Sequence, residues 1–399
     1  MTLPIELPVY GTSLHREFYG SPSSFIRASE CPLRELITGE LPSLPTPPWN
    51  VHGTVIHELI EHPLADGETM DEAYDLRLRK HIKDAQDARA AGDRKSWLPD
   101  FSETDRVLFL DIHNFASRRE QGLALAARYL SQMTVDTARL GSSGLGDGAL
   151  TLGPERPIVD LETGIKGKID LLERGEDGLV IVDFKTGQLQ EEGADDLEVK
   201  PEYEQQLLIY AAMIFRNHKE WPVKWRLESQ SGQTIEKAIA PADALKAFEA
   251  LVKLKRETDS KLKEHDFEGL ARGITNGACR KCQWRHRCPA SRKQLATEGW
   301  VSFSTPSVKN SLVDIQGKVV GVGTGHAAWL DVQLVNGATV RVHRLQIAAQ
   351  FKDRSPIPTV GDLVALFSTR TTITEPVDGA TPQAPSRVEC DKTSYCLTL

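Results

Sequence analysis

Two aspartates and a lysine on neighbouring strand-like runs are the residues best suited to chemistry. Asp170 lies in the run IKGKIDLLER, and Asp183 and Lys185 lie in the next, LVIVDFK. Side chains two apart on a strand project to one face, so Asp183 and Lys185 point together and Asp170 on the adjacent strand can join them. Two carboxylates suit a hard cation such as Mg²⁺, which activates a water and stabilises charge developing on a phosphate, and a lysine can assist. The trio suits metal-dependent phosphodiester hydrolysis, but an exposed ion pair on a polar strand face gives the same short pattern and is the commoner origin of Asp-x-Lys, so the accompanying residues must decide.

The elements that must position this trio follow the order α, β, β, β, α, β, β. The strands are RPIVDLE, IKGKIDLLER and LVIVDFK, followed by an amphipathic helix over 201–218 and a hairpin of VKWRLESQ and QTIEKAI. Further helices are predicted over 22–39, from Val51 onward and over 241–265. Residues 69–140 are rich in charged and helix-forming residues, which predicts a helical insertion.

The motifs GKIDLL, IVDFKTG and QLLIY together resemble those of the PD-(D/E)XK nuclease superfamily, in its RecB-like branch, which includes AddB-type and CRISPR spacer-acquisition nucleases. The resemblance implies an α/β restriction-endonuclease-like core, a small mixed sheet flanked by helices. It also implies an active site of Asp170, Asp183, Lys185, Gln206 and Tyr210, the last two being one helical turn apart.

A histidine on an early helix is a further metal ligand in that branch, in a G-x-x-x-H context. Gly53 and His57 supply this pattern in GTVIH. The resemblance therefore implies that His57, Asp170 and Asp183 hold Mg²⁺ or Mn²⁺. A histidine at the edge of the core is the alternative for His57, and His52 and His62 lack comparable support.

Six cysteines in a reducing compartment are poor candidates for a disulfide framework. Cys279, Cys282 and Cys288 form a C-x2-C-x5-C motif that needs a fourth ligand, from Cys31 or from His286. Spacing alone leaves zinc and an iron–sulfur cluster open. The resemblance implies a [4Fe-4S] cluster on Cys31, Cys279, Cys282 and Cys288, with zinc as the alternative. The remaining two, Cys390 and Cys396, fall outside the pattern and are read as ordinary thiols.

Two further segments carry residues that suit nucleic acid. Residues 279–293 hold six basic residues, no acid and Trp284, which fits a phosphate-tracking surface or a merely solvated loop. Residues 300–399 consist of short β-like runs that favour an OB-like barrel, with an SH3-like barrel as the alternative. In that region the candidates for stacking or phosphate contact, which could equally be core or surface filler, are Trp329, Arg341, His343 and Arg344.

The length and composition of the chain limit its possible domain organisation, ligands and location. The 399 residues predict a nuclease domain over 1–299, with a helical insertion at about 64–150 and a catalytic core at about 151–240, and a barrel over 300–399. The net charge of −8 gives no general affinity for a polyanion. No segment has the length and apolarity of a membrane span, and the N-terminus lacks the pattern of a secretory signal, so a cytoplasmic location is expected.

These observations predict a metal-dependent DNA nuclease, either exo- or endonuclease, acting on single strands or DNA ends. Members of the branch that the chain resembles often work beside a helicase, and this chain lacks a G-x-x-x-x-G-K-[ST] phosphate loop of its own. The resemblance therefore implies a separate helicase or other ATPase partner. Such a pair would suit DNA-end processing, CRISPR adaptation or defence against phage. The alternatives are a catalytically silent DNA-binding scaffold with a structural iron–sulfur or zinc site, and a zinc-stabilised interaction protein.

Overall fold

The computed structural model describes most of the chain, in fifteen segments. These are residues 18, 20–37, 48–62, 64–90, 114–139, 150–186, 189–190, 199–272, 279, 282–303, 312–324, 328–345, 357–371, 385–390 and 394–398.

A five-stranded mixed sheet positions the predicted trio. Its strands are hydrogen-bonded in chain order: Gly153–Val159 (β1), Lys166–Arg174 (β2), Leu179–Lys185 (β3), Pro222–Ser229 (β4) and Thr234–Ala238 (β5). Neighbours are antiparallel except β3 and β4, which run parallel because the helix Pro201–His218 crosses between them. The predicted order of strands and helix agrees with this sheet.

Helices cover both faces of the sheet. After a 3-10 turn at Pro22–Ser24, the helices are Phe25–Glu30 (α1), Pro32–Leu36 (α2), Pro48–Glu61 (α3), Met70–Ala90 (α4), Phe115–Arg139 (α5), Pro201–His218 (α6), Pro241–Lys263 (α7), Phe267–Leu270 (α8) and Pro289–Glu298 (α9). One apolar cluster joins the sheet to α1, α2, α6 and α7, and a second joins the opposite face to α3, α4 and α5. The core is therefore an α/β/α sandwich with β3 buried on both faces.

The predicted single helix over 22–39 is wrong, because the chain breaks into two short helices at Cys31. Cys31 is extended, with φ −153° and ψ 91°. Pro32 imposes this, since the proline ring clashes with a helical residue before it, and Pro32 itself takes the first position of α2. The break presents Cys31 at the junction of α1 and α2.

The predicted helical insertion contains two helices, α4 and α5. Both contact α3, and together they pack Tyr74, Leu125 and Tyr129 against the sheet. The prediction of helices holds for residues 70–90 and 115–139. The rest of the predicted insertion, residues 91–113 and 140–149, lies outside the described residues.

A second sheet follows α9 and closes into a barrel. Its strands are Trp300–Ser302 (β6), Leu312–Gly323 (β7), Trp329–Gln333 (β8), Thr339–His343 (β9), Leu363–Thr371 (β10), Arg387–Glu389 (β11) and Tyr395–Thr398 (β12). The hydrogen-bonded circuit runs β7, β8, β9, β11, β10 and back to β7, with only β9 and β11 parallel. This closed five-stranded barrel is compatible with the predicted OB-like barrel.

A buried ion pair links the cysteine-rich segment to the barrel. Arg285 lies 2.7 Å from Asp314 of β7, donates to the Cys282 carbonyl at 3.1 Å and reaches Ser368 of β10. Both charged side chains are at least 96% buried, so each would be costly without the other. The division of the chain at residues 299 and 300 stays a prediction. No described helix is long and apolar enough to cross a membrane.

Candidate functional site

The alternation of β3 places Asp183 and Lys185 on one face at the end of the strand. Val180 and Val182 pack toward α3, α4 and α5, whereas Leu179 and Ile181 pack toward α6. Asp183 and Lys185 are bonded to α6, and the carboxylate Oδ2 lies 2.7 Å from the ammonium Nζ. The predicted pairing of these two side chains is thus present in the structure.

Gln206 of α6 holds this pair in place. Its amide Nε2 donates to Asp183 Oδ1 at 2.9 Å, and its Oε1 accepts from Lys185 Nζ at 3.2 Å. The ring of Tyr203, one turn earlier on α6, lies 4.8 Å from Lys185 Nζ. One side chain therefore fixes both the carboxylate and the ammonium, which limits the orientations they can adopt.

Asp170 of β2 lies in the same pocket. Its Oδ2 accepts a hydrogen bond of 2.8 Å from the backbone N–H of Phe184, between Asp183 and Lys185. The structure therefore brings the two aspartates and the lysine together, as the spacing predicts. The pocket opens to the surface, and Lys168, Thr186 and Ser23 also line it.

Tyr210 contacts the backbone that carries Asp170. Its hydroxyl donates to the Lys168 carbonyl at 2.7 Å and accepts from the Lys168 N–H at 3.3 Å. Gly167 makes this possible, because a Cβ there would lie 2.7 Å from Tyr210 Cε1. Tyr210 is thus a positioning residue that clamps β2, one turn along α6 from Gln206.

His57 of α3 also lines the pocket, and its Nδ1 lies 4.0 Å from Glu155 Oε1. Gly53, one turn earlier, lets α3 approach the end of β3, since a Cβ there would lie 3.3 Å from Thr186 Oγ1. This close approach is a physical reason for the G-x-x-x-H spacing. By contrast, His52 is buried and bonded to Tyr74 and Gln230, and His62 is largely exposed.

Glu155 is a site residue that the sequence analysis missed. Its neighbours on β1, Pro154 and Arg156, pair with Leu171 and Ile169 of β2. Glu155 and Asp170 therefore lie opposite each other on these two adjacent strands. Glu155 has φ +50°, a left-handed conformation that is uncommon outside glycine and accumulates at functional sites. One ligand atom each from His57, Glu155 and Asp170 lie within 4.8 Å of one another.

No motif could have identified Glu155. The only signal is a lone glutamate in a predicted strand whose neighbour strand carries Asp170. Its side chain is 7% exposed, and it forms an ion pair with Lys168. The tight ligand group therefore contains Glu155, while Asp183 lies in the same pocket and is engaged by Lys185 and Gln206.

The protonation of this pocket reflects crowded acidic groups. Burial, then the charge of Asp183, raise the pKa of Asp170 to about 7. Burial opposes the charged forms of His57 and Lys185, but the surrounding carboxylates outweigh it and raise the pKa of both. Similarly, hydrogen bonds from His57 and Lys168 outweigh burial and lower the pKa of Glu155.

The raised pKa of Asp170 shows that its negative charge is disfavoured beside Asp183 in the buried pocket. Asp170 and Asp183 repel one another, and the histidine and lysine protons only partly offset that charge. A divalent cation accepts carboxylate oxygen and imidazole nitrogen as ligands and would relieve the repulsion. The donor set of the pocket therefore fits a divalent metal.

The four cysteines of the predicted centre line one buried cavity. Cys31 from the α1–α2 junction meets Cys279, Cys282 and Cys288, and Trp284 completes part of the wall. His286 instead packs edge-on against Phe367 of β10, with ring centroids 6.0 Å apart. The structure thus groups Cys31 with three cysteines that lie 248 to 257 positions later in the sequence, and places His286 toward the barrel.

The predicted basic surface over residues 279–293 is divided by the fold. Arg285 is buried against Asp314, and Trp284 packs against the core and the cysteine cavity. Burial lowers the pKa of Arg292, while Lys293 is exposed. Arg280 and Lys281 lie outside the described residues. The reading of this segment as one phosphate-tracking surface is wrong for Arg285, whose charge is used inside the protein.

The four barrel candidates lie on or beside one outer face. Trp329 begins β8, Arg341 and His343 lie on β9, and Arg344 follows directly. Buried valines and leucines alternate with them, so these candidates do not form the barrel core.

The mixed sheet carries an aspartate and an Asp-x-Lys pair, with a histidine and a glutamate beside them, a donor set that suits metal-assisted chemistry on a phosphodiester. Residues 19–289 match the family model described as the PD-(D/E)XK nuclease superfamily. The match spans more than half of the chain, and the chain belongs to this superfamily. The predicted superfamily is thereby confirmed, while its RecB-like branch stays a prediction.

Two solved structures are similar in part. The protein SSO0001 is 17% identical, with 53% of this chain and 96% of that chain covered and a TM-score of 0.24. A candidate exonuclease from Eubacterium rectale is 12% identical, with 67% and 88% covered and a TM-score of 0.28. No curated protein matches the chain.

Proposed function

We propose that this chain is a metal-dependent DNA nuclease of the RecB-like branch that acts on single strands or DNA ends. The observation that carries the proposal is the convergence of Asp170, Asp183, Lys185 and His57 in one open pocket, with Glu155 beside His57 and Asp170. Membership of the nuclease superfamily supports it. The retained acids and lysine favour an active enzyme over a catalytically silent scaffold.

The residues would divide the work as follows. His57, Asp170 and Asp183, joined by Glu155, would hold Mg²⁺ or Mn²⁺, which when bound acidifies a water and offsets charge on the phosphate. Lys185 would orient the attacking water or stabilise charge on the scissile phosphate, with its ammonium aimed by Gln206. Tyr210 would keep β2, and so Asp170, in register with β3.

Cleavage of labelled DNA in Mg²⁺ or Mn²⁺ tests this proposal. The purified protein is expected to degrade linear single strands, and Lys185→Ala is expected to lower the rate at least about a hundredfold without loss of folding. Lys224→Ala is the matched control, because Lys224 is a β4 lysine paired with Glu236. Comparing linear with circular single strands, duplex and RNA separates exo- from endonuclease action. Undetectable cleavage of every substrate, or equal rates for Lys185→Ala and the wild type, would refute the proposal.

We also propose that Cys31, Cys279, Cys282 and Cys288 bind a [4Fe-4S] cluster, with zinc as the alternative. Burial, then the neighbouring thiols, raise the pKa of Cys279, and burial raises that of Cys282 to about 12. Buried thiols with a raised pKa, such as Cys279, Cys282 and Cys288, are stabilised as thiolates by a metal centre. The charge of Arg34 favours the Cys282 thiolate, and that of Arg285 favours the Cys279 thiolate. The centre would fasten the N-terminal helices to the end of the nuclease domain.

Metal analysis of anaerobically purified protein distinguishes the two centres. Iron with sulfide and broad visible absorption would support the cluster, and zinc in a colourless sample would refute it while leaving the nuclease proposal intact. Cys31→Ser is expected to lose the metal. Cys390→Ser is the control, since Cys390 is also buried but lies in the apolar interior of the barrel.

The wider setting follows from the same proposal. Relatives in the RecB-like branch often work beside a helicase, and a partner ATPase would supply single strands for DNA-end processing, CRISPR adaptation or phage defence. A cytoplasmic location would suit this role. Co-purification of a helicase with the tagged chain from its native host, dependent on ATP or DNA, would test the partnership.

A further inference from the structure

The outer face of the barrel strands β8, β9 and β11 carries a row of polar side chains in register. Asp331 of β8 pairs with Arg341 of β9, and Arg341 pairs with Arg387 of β11. Residues between them, such as Val332 and Val342, point inward to the barrel core. The three strands therefore present one continuous surface, which we name the β8–β9–β11 face.

The indole of Trp329 lies flat on this face because two residues of the neighbouring strand β7 are glycines. Gly323 and Gly321 of β7 lie beside Trp329: a Cβ on Gly323 would be 2.1 Å from the indole Nε1, and one on Gly321 would be 3.3 Å from Cζ3. Any other residue at Gly323 would push the ring away. The two glycines thus form a shallow floor on which Trp329 rests.

Arg341 forms a second planar layer over that indole. Its guanidinium lies 4.4 Å from the centroid of the Trp329 ring, and two bonds of 2.7 Å to Asp331 fix its plane. The side chain of Arg341 is 48% exposed, so the guanidinium faces solvent. The result is a held, flat, cationic platform of the kind on which an unpaired base stacks.

A second arginine lies beside the platform, since Arg387 of β11 is paired in register with Arg341. The acidic residues of this face are already engaged: Asp331 is paired with Arg341, and Glu389 with Arg344. Arg387 is exposed, and no ion pair of its side chain occurs among the described residues. Its positive charge is therefore available to an anionic ligand in a chain of net charge −8.

We propose that the β8–β9–β11 face binds single-stranded DNA, with a base stacked on the Arg341–Trp329 platform and a phosphate at Arg387. A duplex hides the faces of its bases, and a convex strand surface does not enter a groove, so the platform selects single strands. The choice of DNA rests on the proposed nuclease function. The face would then hold substrate apart from the cleavage pocket.

Fluorescence anisotropy with a labelled oligothymidine of about 20 nucleotides tests the surface, with EDTA present to prevent cleavage. Arg387→Glu and Arg341→Ala are each expected to weaken binding by about tenfold. Arg387→Gln is expected to reduce the salt dependence of the affinity by about 0.7 in the log–log slope, as one lost phosphate contact predicts. Trp329→Ala should weaken binding as well, with thermal melting as the check on folding.

Arg256→Glu is the matched control, since Arg256 is an exposed arginine on α7, away from the barrel. Equal loss of binding in Arg256→Glu and Arg387→Glu would overturn the proposal, because the effect would then be one of net charge. Unchanged affinity in both Arg387→Glu and Arg341→Ala, or tighter binding of oligouridine than of DNA, would also overturn it.

The outcome is separable from that of the nuclease. Lys185→Ala should lose cleavage while its binding of oligothymidine in EDTA still depends on Arg387, and Arg387→Glu should raise the KM for cleavage of single strands far more than it changes kcat. If the protein cleaves no substrate but binds DNA in a way that depends on Arg387, the nuclease proposal is refuted and the proposal for the β8–β9–β11 face stands. Normal cleavage kinetics in Arg387→Glu would refute the binding surface and leave the nuclease proposal intact.

Discussion

Replacing Asp170 with asparagine is expected to stabilise the metal-free protein above neutral pH. Burial and the charge of Asp183 raise the pKa of Asp170 from 3.8 to about 7. Between these values the folded protein holds a proton that the unfolded chain has released, so stability falls as pH rises. Over about three pH units, at about 1.4 kcal/mol per unit, the free energy of unfolding falls by up to about 4 kcal/mol. Asparagine carries no charge and avoids this loss.

Urea denaturation in EDTA at pH 5 and pH 8 measures the effect. At pH 5, about one unit above 3.8, Asp170→Asn should be more stable than the wild type by about 1–2 kcal/mol, and at pH 8 by as much as about 4 kcal/mol. Added Mn²⁺ should stabilise the wild type at pH 8 far more than the variant, because the cation replaces the missing proton.

Asp160→Asn provides a control of opposite sign. Burial disfavours the Asp160 carboxylate, but Arg216 and Thr163 outweigh burial and lower its pKa. Its stabilising charge is therefore present at both pH values, and the asparagine variant should be less stable at both. The account of Asp170 and Asp183 as mutually repelling carboxylates would be refuted by either of two results. One is a difference in unfolding free energy between Asp170→Asn and the wild type that does not change with pH, and the other is a less stable variant at pH 8.

Three other changes test the supporting residues. Gly167→Ala should displace Tyr210, whose Cε1 would lie 2.7 Å from the new Cβ, and cost about 1–3 kcal/mol of stability together with cleavage rate; unaltered melting would contradict the clamp. Arg285→Met should cost about 3–5 kcal/mol in urea denaturation, because Asp314 is left buried and unpaired, and a double variant with Asp314→Leu should recover part of it. Glu155→Gln should weaken Mn²⁺ binding about tenfold or more by calorimetry, and equal affinity would exclude Glu155 as a ligand.

Periodicity carried most of the sequence prediction. The spacing of two between Asp183 and Lys185 sufficed to place them on one face of β3, and the spacing of four between Gln206 and Tyr210 sufficed for one face of α6. The order of strands and helix around them followed from the same patterns. These features depend on neighbours in sequence, which fix local geometry.

Local patterns failed where a distant partner decides. The charge of Arg285 reads as solvent-facing in its basic segment, yet Asp314, 29 residues later, holds it inside the protein. The sequence of the segment does not contain this partner. The break of the 22–39 helix at Cys31 has a local cause instead, because Pro32 disfavours a helical residue before it, and the helix prediction did not use that signal.

The sequence by itself determined the trio of Asp170, Asp183 and Lys185, the helix that supports it and the family to which the chain belongs. Only the tertiary structure decided that Glu155 joins the ligand group, that Gln206 bridges Asp183 and Lys185, and that the β-strands close into a barrel. The physical reason is that strand and helix repeats are set by the backbone over a few residues. Ligand groups and buried ion pairs require side chains that only strand register and layer packing bring together.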